Sequence, residues 1–242
     1  MRHRIDTDQL EAFNRDAASN GGYLYTTNAQ LSSQLATQRF LKVIADTGAL
    51  ARRSILDVGC GDGFFTCRLW DMGGPRKMIG VDLACKAIEV ANSNKQDRLI
   101  EFHVGDAHCL PYQDNTFDLV LLVGILHHDD NPLELIREVF RLAPEVLILE
   151  PNGNNLGLKI IEKVSRYHRE HHEKSYTSRR LNHWIEQAGG CVVRQQFAGF
   201  VPMFCSDWIA RMMKRVETVV ERLPLANALG CGVQVVVAAR KE

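Results

Sequence analysis

Residues 55–66 read Ile55-Leu56-Asp57-Val58-Gly59-Cys60-Gly61-Asp62-Gly63-Phe64-Phe65-Thr66, and the order of residue types in this stretch decides the fold. Ile55, Leu56 and Val58 make a short apolar run, interrupted by one acid, of the kind that fills a buried strand. Gly59, Gly61 and Gly63 follow at alternate positions, and Phe64, Phe65, Cys67 and Leu69 then open a helical pattern. A strand feeding a Gly-rich turn and then a helix is the nucleotide-binding unit of an open α/β sheet. Glycine admits positive φ there and lets a ligand lie against bare backbone. The spacing separates one ligand from another. A dinucleotide fingerprint runs G-x-G-x-x-G, its third glycine easing helix packing around a pyrophosphate. Here the third glycine comes one residue early and the bulky Phe64 follows it, which disfavours an NAD-dependent oxidoreductase.

Outward from this turn, residues 51–150 alternate between strand and helix patterns. Strands are expected over 55–58, 78–81, 99–104, 117–123 and 146–149, with helices over 63–72, 85–95 and 132–142. Such alternation with short loops predicts a parallel sheet with helices on both faces and right-handed crossovers. After the turn-rich Pro151-Asn152-Gly153-Asn154-Asn155, helices are expected near 156–172 and 178–188, the second with Thr177 as its cap. A strand over 191–197, an amphipathic helix over 205–222 and a last strand over 233–239 complete the chain. Residues 1 to about 50 read as polar helices, with Leu31, Leu35, Phe40, Leu41 and Ile44 near helical spacing and Gly48 as a stop. Gly21-Gly22-Tyr23-Leu24-Tyr25 reads as a loop between them.

Three acids stand near the ends of the first three strands: Asp57, Asp82 in I-G-V-D-L, and Asp106 in H-V-G-D-A. Carboxyl ends of parallel strands are where open α/β sheets place ligands, and an acid at such a spot can accept both ribose hydroxyls. Asp57 two residues before the first glycine completes D-x-G-x-G-x-G, which resembles motif I of the class I S-adenosylmethionine-dependent methyltransferases. The string Gly105-Asp106-Ala107-x-x-Leu110-Pro111-x-x-Asp114-x-x-Phe117-Asp118 is similar to a hallmark of the quinone- and sterol-biosynthesis type within that family. The resemblance is strong over 50–150 and weaker toward both ends. It implies a Rossmann-like three-layer α/β sandwich, a mostly parallel seven-stranded sheet closed by an antiparallel hairpin and carrying a helical cap. It also implies a division into an N-terminal cap segment over 1–50 and a methyltransferase domain over 51–242. Within that domain, helical insertions over 151–189 and 200–230 would form an acceptor-side cap. S-adenosyl-L-methionine is the implied cofactor, held at Asp57, Gly59, Gly61, Gly63, Asp82, Leu83, Asp106 and Ala107. By the same likeness Asp106 faces the adenine amino group, Ala107 offers a backbone N–H and Leu83 packs on the ring. Asp57 would order the turn and reach toward the methionine end, and Tyr23 and Tyr25 would either lie in a segment that closes over the cofactor or pack on the core surface.

Methyl transfer from a sulfonium is an in-line displacement, so the protein must chiefly align the groups and exclude water. A base is needed where the acceptor has to lose a proton, as a hydroxyl or an acidic carbon would. His127 and His128 follow the fourth strand, where this family places residues around the methyl group, and are the candidate bases. The Asn/Asp-Pro-Pro-aromatic motif of enzymes that methylate adenine amines is missing there, since Asn131-Pro132 comes later and lacks the second proline. Asn152, Asn154 and Asn155 after the fifth strand could orient an acceptor or simply turn the chain. His168 and His172 stand at i, i+4 spacing, but without the H-E-x-x-H pattern of a zinc site they read as a solvated helix face or lid rather than metal ligands.

Charge and cysteine content narrow the function classes. The chain carries 29 Lys plus Arg against 29 Asp plus Glu, without the basic excess that phosphate neutralisation by a nucleic-acid binder demands. Seven cysteines in no C-x-x-C pair read as reduced thiols, and the N-terminus has no apolar core for a signal peptide. No run approaches the roughly 20 apolar residues of a membrane span, so a cytoplasmic protein is expected. The segment Phe197–Val216 is rich in Met and aromatic residues, with Arg211, Lys214 and Arg215 beside them. It reads as core packing, as the wall of a greasy acceptor pocket or as a peripheral membrane contact. Together these features predict methyl transfer to O or C of a small-molecule or lipid-linked acceptor, with no nucleic-acid partner. The competing reading is a non-catalytic S-adenosylmethionine-binding subunit.

Overall fold

A computed structural model of the protein describes residues 7–164, 174–203 and 205–241. Seven strands form one sheet: β1 (Ser54–Val58), β2 (Lys77–Asp82), β3 (Ile100–Val104), β4 (Leu119–Val123), β5 (Glu145–Pro151), β6 (Gly190–Ala198) and β7 (Val233–Arg240). Their order is β3-β2-β1-β4-β5-β7-β6. The first five are parallel, and β7 runs antiparallel between β5 and β6. This is the expected parallel sheet with its closing hairpin.

Alternation along each strand makes the two faces. Leu56, Val58, Val120, Leu122, Val146 and Ile148 fill one core with Leu135, Ile136 and Val139 of α6 (Pro132–Leu142) and Leu181 and Ile185 of α8 (Ser178–Gln187). Ile55, Leu119, Leu121, Leu147 and Leu149 fill the other. There they meet Leu41 and Ile44 of α3 (Leu31–Ala45), Leu69 of α4 (Phe64–Gly73) and Ile88 and Ala91 of α5 (Cys85–Asn94). Burial on both faces explains why the central strands β1, β4 and β5 read as near-continuous apolar runs.

The remaining elements differ from the sequence expectations in instructive ways. The N-terminal region holds α1 (Thr7–Asn20), which packs on α5. The expected loop at 21–25 is a Gly21-Gly22 turn followed at once by the single-turn helix α2 (Leu24–Thr27). The buried side of α3 includes Ser32, Ser33, Ala36 and Thr37, small residues that spacing of large apolar side chains could not reveal. After β5 comes α7 (Leu156–Val164), with Thr177 capping α8 through its hydroxyl oxygen, which accepts the Arg180 N–H. The expected amphipathic helix is α9 (Asp207–Val220), and a separate α10 (Pro224–Gly230) follows it. A proline fits the first turn of α10 because its missing N–H would have no partner there.

The strand order reverses beside β1. The chain moves outward through β2 and β3, then returns to lay β4 on the other side of β1. Such a switch point leaves a crevice past the carboxyl ends of β1 and β4. The Gly-rich turn, the loop after β2 and the His127 segment all emerge there.

Candidate active site

The turn after β1 is built by backbone requirements. Gly59, Gly61 and Gly63 all have positive φ, at 74°, 56° and 73°. At Gly63 a side chain is excluded twice over, since a Cβ would also lie 2.9 Å from both Ala91 of α5 and Phe102 of β3. Gly63→Val is therefore expected to cost about 3 kcal/mol or more from backbone strain and overpacking together. Denaturant unfolding should show this as a lower midpoint at unchanged slope. An unaltered midpoint would contradict the reading.

Two acids brace this turn, and one of them has an unexpected role. Asp82 accepts the Gly61 N–H at 2.8 Å through one oxygen and the Ala84 N–H at 2.8 Å through the other. Burial lifts its carboxyl above the usual range against those hydrogen bonds. Buried Asp62 accepts the Tyr23 N–H at 2.9 Å and the Thr26 hydroxyl with one oxygen, and the Phe64 N–H at 3.1 Å with the other. It thus ties α2 and the Tyr23 backbone to the start of α4. The Tyr23 ring lies against Gly61, where a Cβ would come within 2.5 Å of it. Tyr23 is placed over the turn as the sequence allowed. The Tyr25 side chain lies outside the described residues. Asp62 stood in the motif with no role assigned, and a partner 39 residues away leaves no local signal.

Asp57 is fully enclosed. Its Oδ2 accepts the Thr66 hydroxyl at 2.6 Å, while its Oδ1 is buried with no hydrogen-bond partner. Burial pushes its carboxyl up to about 7, with Asp82 adding to the lift against the Thr66 hydrogen bond. A buried carboxylate oxygen without a partner is costly, which marks a position where a donor or a cation completes the site. Cys60, deep in the same turn, has its thiol raised well above the ordinary value, first by burial and then by the acids around it. It stays protonated, and so is no nucleophile.

Asp106 stands apart from these groups. One of its oxygens accepts the His108 N–H at 2.9 Å. The His108 Nε2 in turn meets Asp129 Oδ2 at 2.7 Å. The loop after β3 is thereby pinned to the loop after β4, with Ala107 packed against the core. The Asp129 hydrogen bond raises the His108 pKa despite burial. Leu83 follows Asp82, half-buried at the rim.

His127 and His128 lie in a single 3₁₀ turn, Leu126–His128, directly after β4. His127 is buried and its Nδ1 meets Glu150 Oε2 at 2.8 Å. Glu150, at the end of β5 and wholly buried, accepts the Leu126 N–H at 2.8 Å with its other oxygen. Burial pushes the Glu150 carboxyl up to about 8 against its backbone hydrogen bonds. The His128 ring packs at a tilt against His127 with centroids 3.9 Å apart and makes an edge-on contact with Phe13 from α1 at 5.0 Å. The two histidines are thus unequal, one locked to a carboxylate and the other packed against the N-terminal helix. Sequence spacing does not pair Glu150 with His127, although a lone acid closing the apolar run Val146–Leu149 is a visible signal.

The asparagines after β5 turn inward. Asn152 Nδ2 donates to the Ala228 and Cys231 carbonyls, and Asn155 Nδ2 to those of Gly230 and Cys231. They fasten α10 to the sheet, so the turn reading holds for both. Asn154 donates to the Ser178 hydroxyl at 3.0 Å. His168, His171 and His172 lie outside the described residues. Among the described residues no cluster of three or more potential metal ligands occurs, and no helix is long and apolar enough to cross a membrane.

Residues 51–189 match a family model described as a methyltransferase domain. A demethylmenaquinone methyltransferase of Lactococcus lactis is 33% identical over 116 residues, covering 46% of this chain and 44% of that protein. A norajmaline N-methyltransferase of Rauvolfia serpentina is 31% identical over 156 residues, covering 59% and 53%. The chain thus spans about half the length of the curated relatives it matches. Among solved structures, magnesium protoporphyrin IX methyltransferase from Synechocystis PCC 6803 with bound SAH superposes with a TM-score of 0.64 at 14% identity. That match covers 88% of this chain and 89% of the other, a likeness of fold.

Proposed function

The chain belongs to the S-adenosylmethionine-dependent methyltransferase-domain family, and from that premise we propose that it methylates an oxygen or carbon of a small-molecule or lipid-linked acceptor, with His127 as the base. The observation that carries this reading is the buried His127–Glu150 pair at the carboxyl ends of β4 and β5, on the β4 side of the crevice. Nitrogen acceptors with a free lone pair need no such base, whereas hydroxyls and acidic carbons do.

The residues at the turn fit the cofactor. The buried, partnerless Asp57 Oδ1 suits the cationic methionine end, and Gly59 and Gly61 lie bare beneath Ile125 and Tyr23, which leave no space for a side chain at the turn. Asp82 is assigned to the ribose hydroxyls, which its remaining lone pairs can accept. Asp106, Leu83 and Ala107 are assigned to the adenine. Tyr23, held through Asp62, closes the turn from outside and excludes water, and residues 1–50 are read as the cap over this end. The segments 151–189 and 200–230 are assigned to the acceptor side. When bound, the cofactor supplies an activated methyl group, so no residue of the chain needs to act as nucleophile.

The sign of the pH dependence follows from the Glu150 carboxyl lifted to about 8 by burial. Below that pH the pair holds an extra proton. Above it the carboxylate accepts from Nδ1–H, and Nε2 of His127 is the atom assigned to take a proton from the acceptor. Methyl transfer is therefore expected to rise with pH through about 8, and Glu150→Gln should remove that step from the profile. A rate flat from about pH 6 to about pH 9 would contradict assignment of the pair as base.

A further inference from the structure

The solvent side of α9 presents two parallel stripes. Trp208, Met212, Val216 and Val219, with Leu223 in the turn beyond, recur at helical spacing and are all exposed, Trp208 by 67%. Beside them run exposed Arg211, Arg215 and Arg222. None of these arginines has an acidic partner among the described residues. The acids of the same segment turn the other way. Glu217 is buried, paired with Lys214 and accepting the Phe200 N–H. Glu221 is paired with Arg39 and accepts the Gly199 N–H. Only Asp207, in the first turn, leaves an acid exposed on this helix apart from the inward pair. A chain with equal numbers of acids and bases thus shows one basic, apolar helix surface about 21 Å long. The apolar surface continues across α10 and α7, which pack together, through exposed Leu225, Leu229, Leu156 and Ile160.

A helix with an apolar face flanked by arginines and an exposed tryptophan has the make-up of one that lies in a bilayer interface. Large exposed apolar patches on a soluble domain mark interaction sites, and the arginines name the sign of the partner. A second copy docking by this face would meet arginines and no row of acids. We infer that α9, with α10 and α7, is a membrane-docking surface for anionic bilayers. Asn152 and Asn155 hold α10 to the end of β5, beside Glu150. Docking by this face therefore turns the acceptor side of the sheet toward the lipid. This orientation rests on the proposed acceptor site, but bilayer binding itself is measured without methyl transfer, so failure of either leaves the other standing.

The test is co-sedimentation of the full chain with phosphatidylcholine vesicles, with and without phosphatidylglycerol. Binding is expected only with the anionic lipid and should weaken with salt. Neutralising each arginine in Arg211→Gln and Arg215→Gln should lower the partition about fivefold, the worth of one surface cation. Trp208→Ser with Met212→Ser should abolish partition while leaving the melting temperature unchanged, since both side chains are exposed. Absence of wild-type binding to anionic vesicles would overturn the inference. So would variants that bind like the wild type, or a dimer in gel filtration that Trp208→Ser dissociates.

Discussion

Asp82→Ala is expected to weaken binding of S-adenosylmethionine and of its demethylated product by about a hundredfold or more. Hydrogen bonds to a charged group contribute about 1.5–3 kcal/mol each, and the assigned role gives this carboxylate two ribose hydroxyls. The same side chain accepts the Gly61 and Ala84 N–H groups, so its loss also loosens the Gly-rich turn. Asp82→Asn keeps one acceptor oxygen and should fall between the two. Calorimetric titration, run beside a thermal melt that establishes folding, separates loss of binding from loss of structure. Undiminished affinity in folded Asp82→Ala would show that the ribose is held elsewhere.

His127→Ala is expected to slow methyl transfer by about 10²–10⁴-fold, the usual contribution of a positioned acid–base group, with cofactor affinity unchanged. It leaves the Glu150 carboxyl buried without its side-chain partner. Because that carboxyl is already raised to about 8, it can stay protonated, and the fold should survive. His128→Ala removes a ring that packs on His127 and Phe13; it should cost less and act on position. Equal, full-sized losses in both variants would mean that the pair serves packing rather than proton transfer. Single-turnover rates compared with product affinity distinguish the two cases.

The sheet was legible because its strands are short apolar runs punctuated by glycine and acid, and each strand was expected within two residues of where it begins. The Gly-rich turn after β1 was legible for the same reason: Asp57, Gly59, Gly61 and Gly63 sit within seven residues. Contacts that join distant segments were not. Tyr23 and Asp62 are far apart in sequence and meet where the N-terminal segment, with α1 on α5, packs against the turn. His127 and Glu150 belong to different strand ends and become a pair only through the β4–β5 register. Helix α10 is not separated from the expected helical insertion over 200–230, although Pro224 and Gly230 are its first and last residues and serve as start and stop signals. The exposed stripe of α9 carries the same residues whether read as core or as surface. Hydrophobic spacing reports a face, not what covers it.

Methyl transfer itself is measured by incubating the purified chain and a small-molecule extract with S-adenosylmethionine labelled on its methyl group, followed by mass spectrometry. The expected outcome is a labelled methyl group on the oxygen or carbon of a small or lipid-linked molecule, formed by the wild type and lost in His127→Ala. Cofactor binding by a folded chain that labels no molecule, or labelling undiminished in His127→Ala, would contradict it.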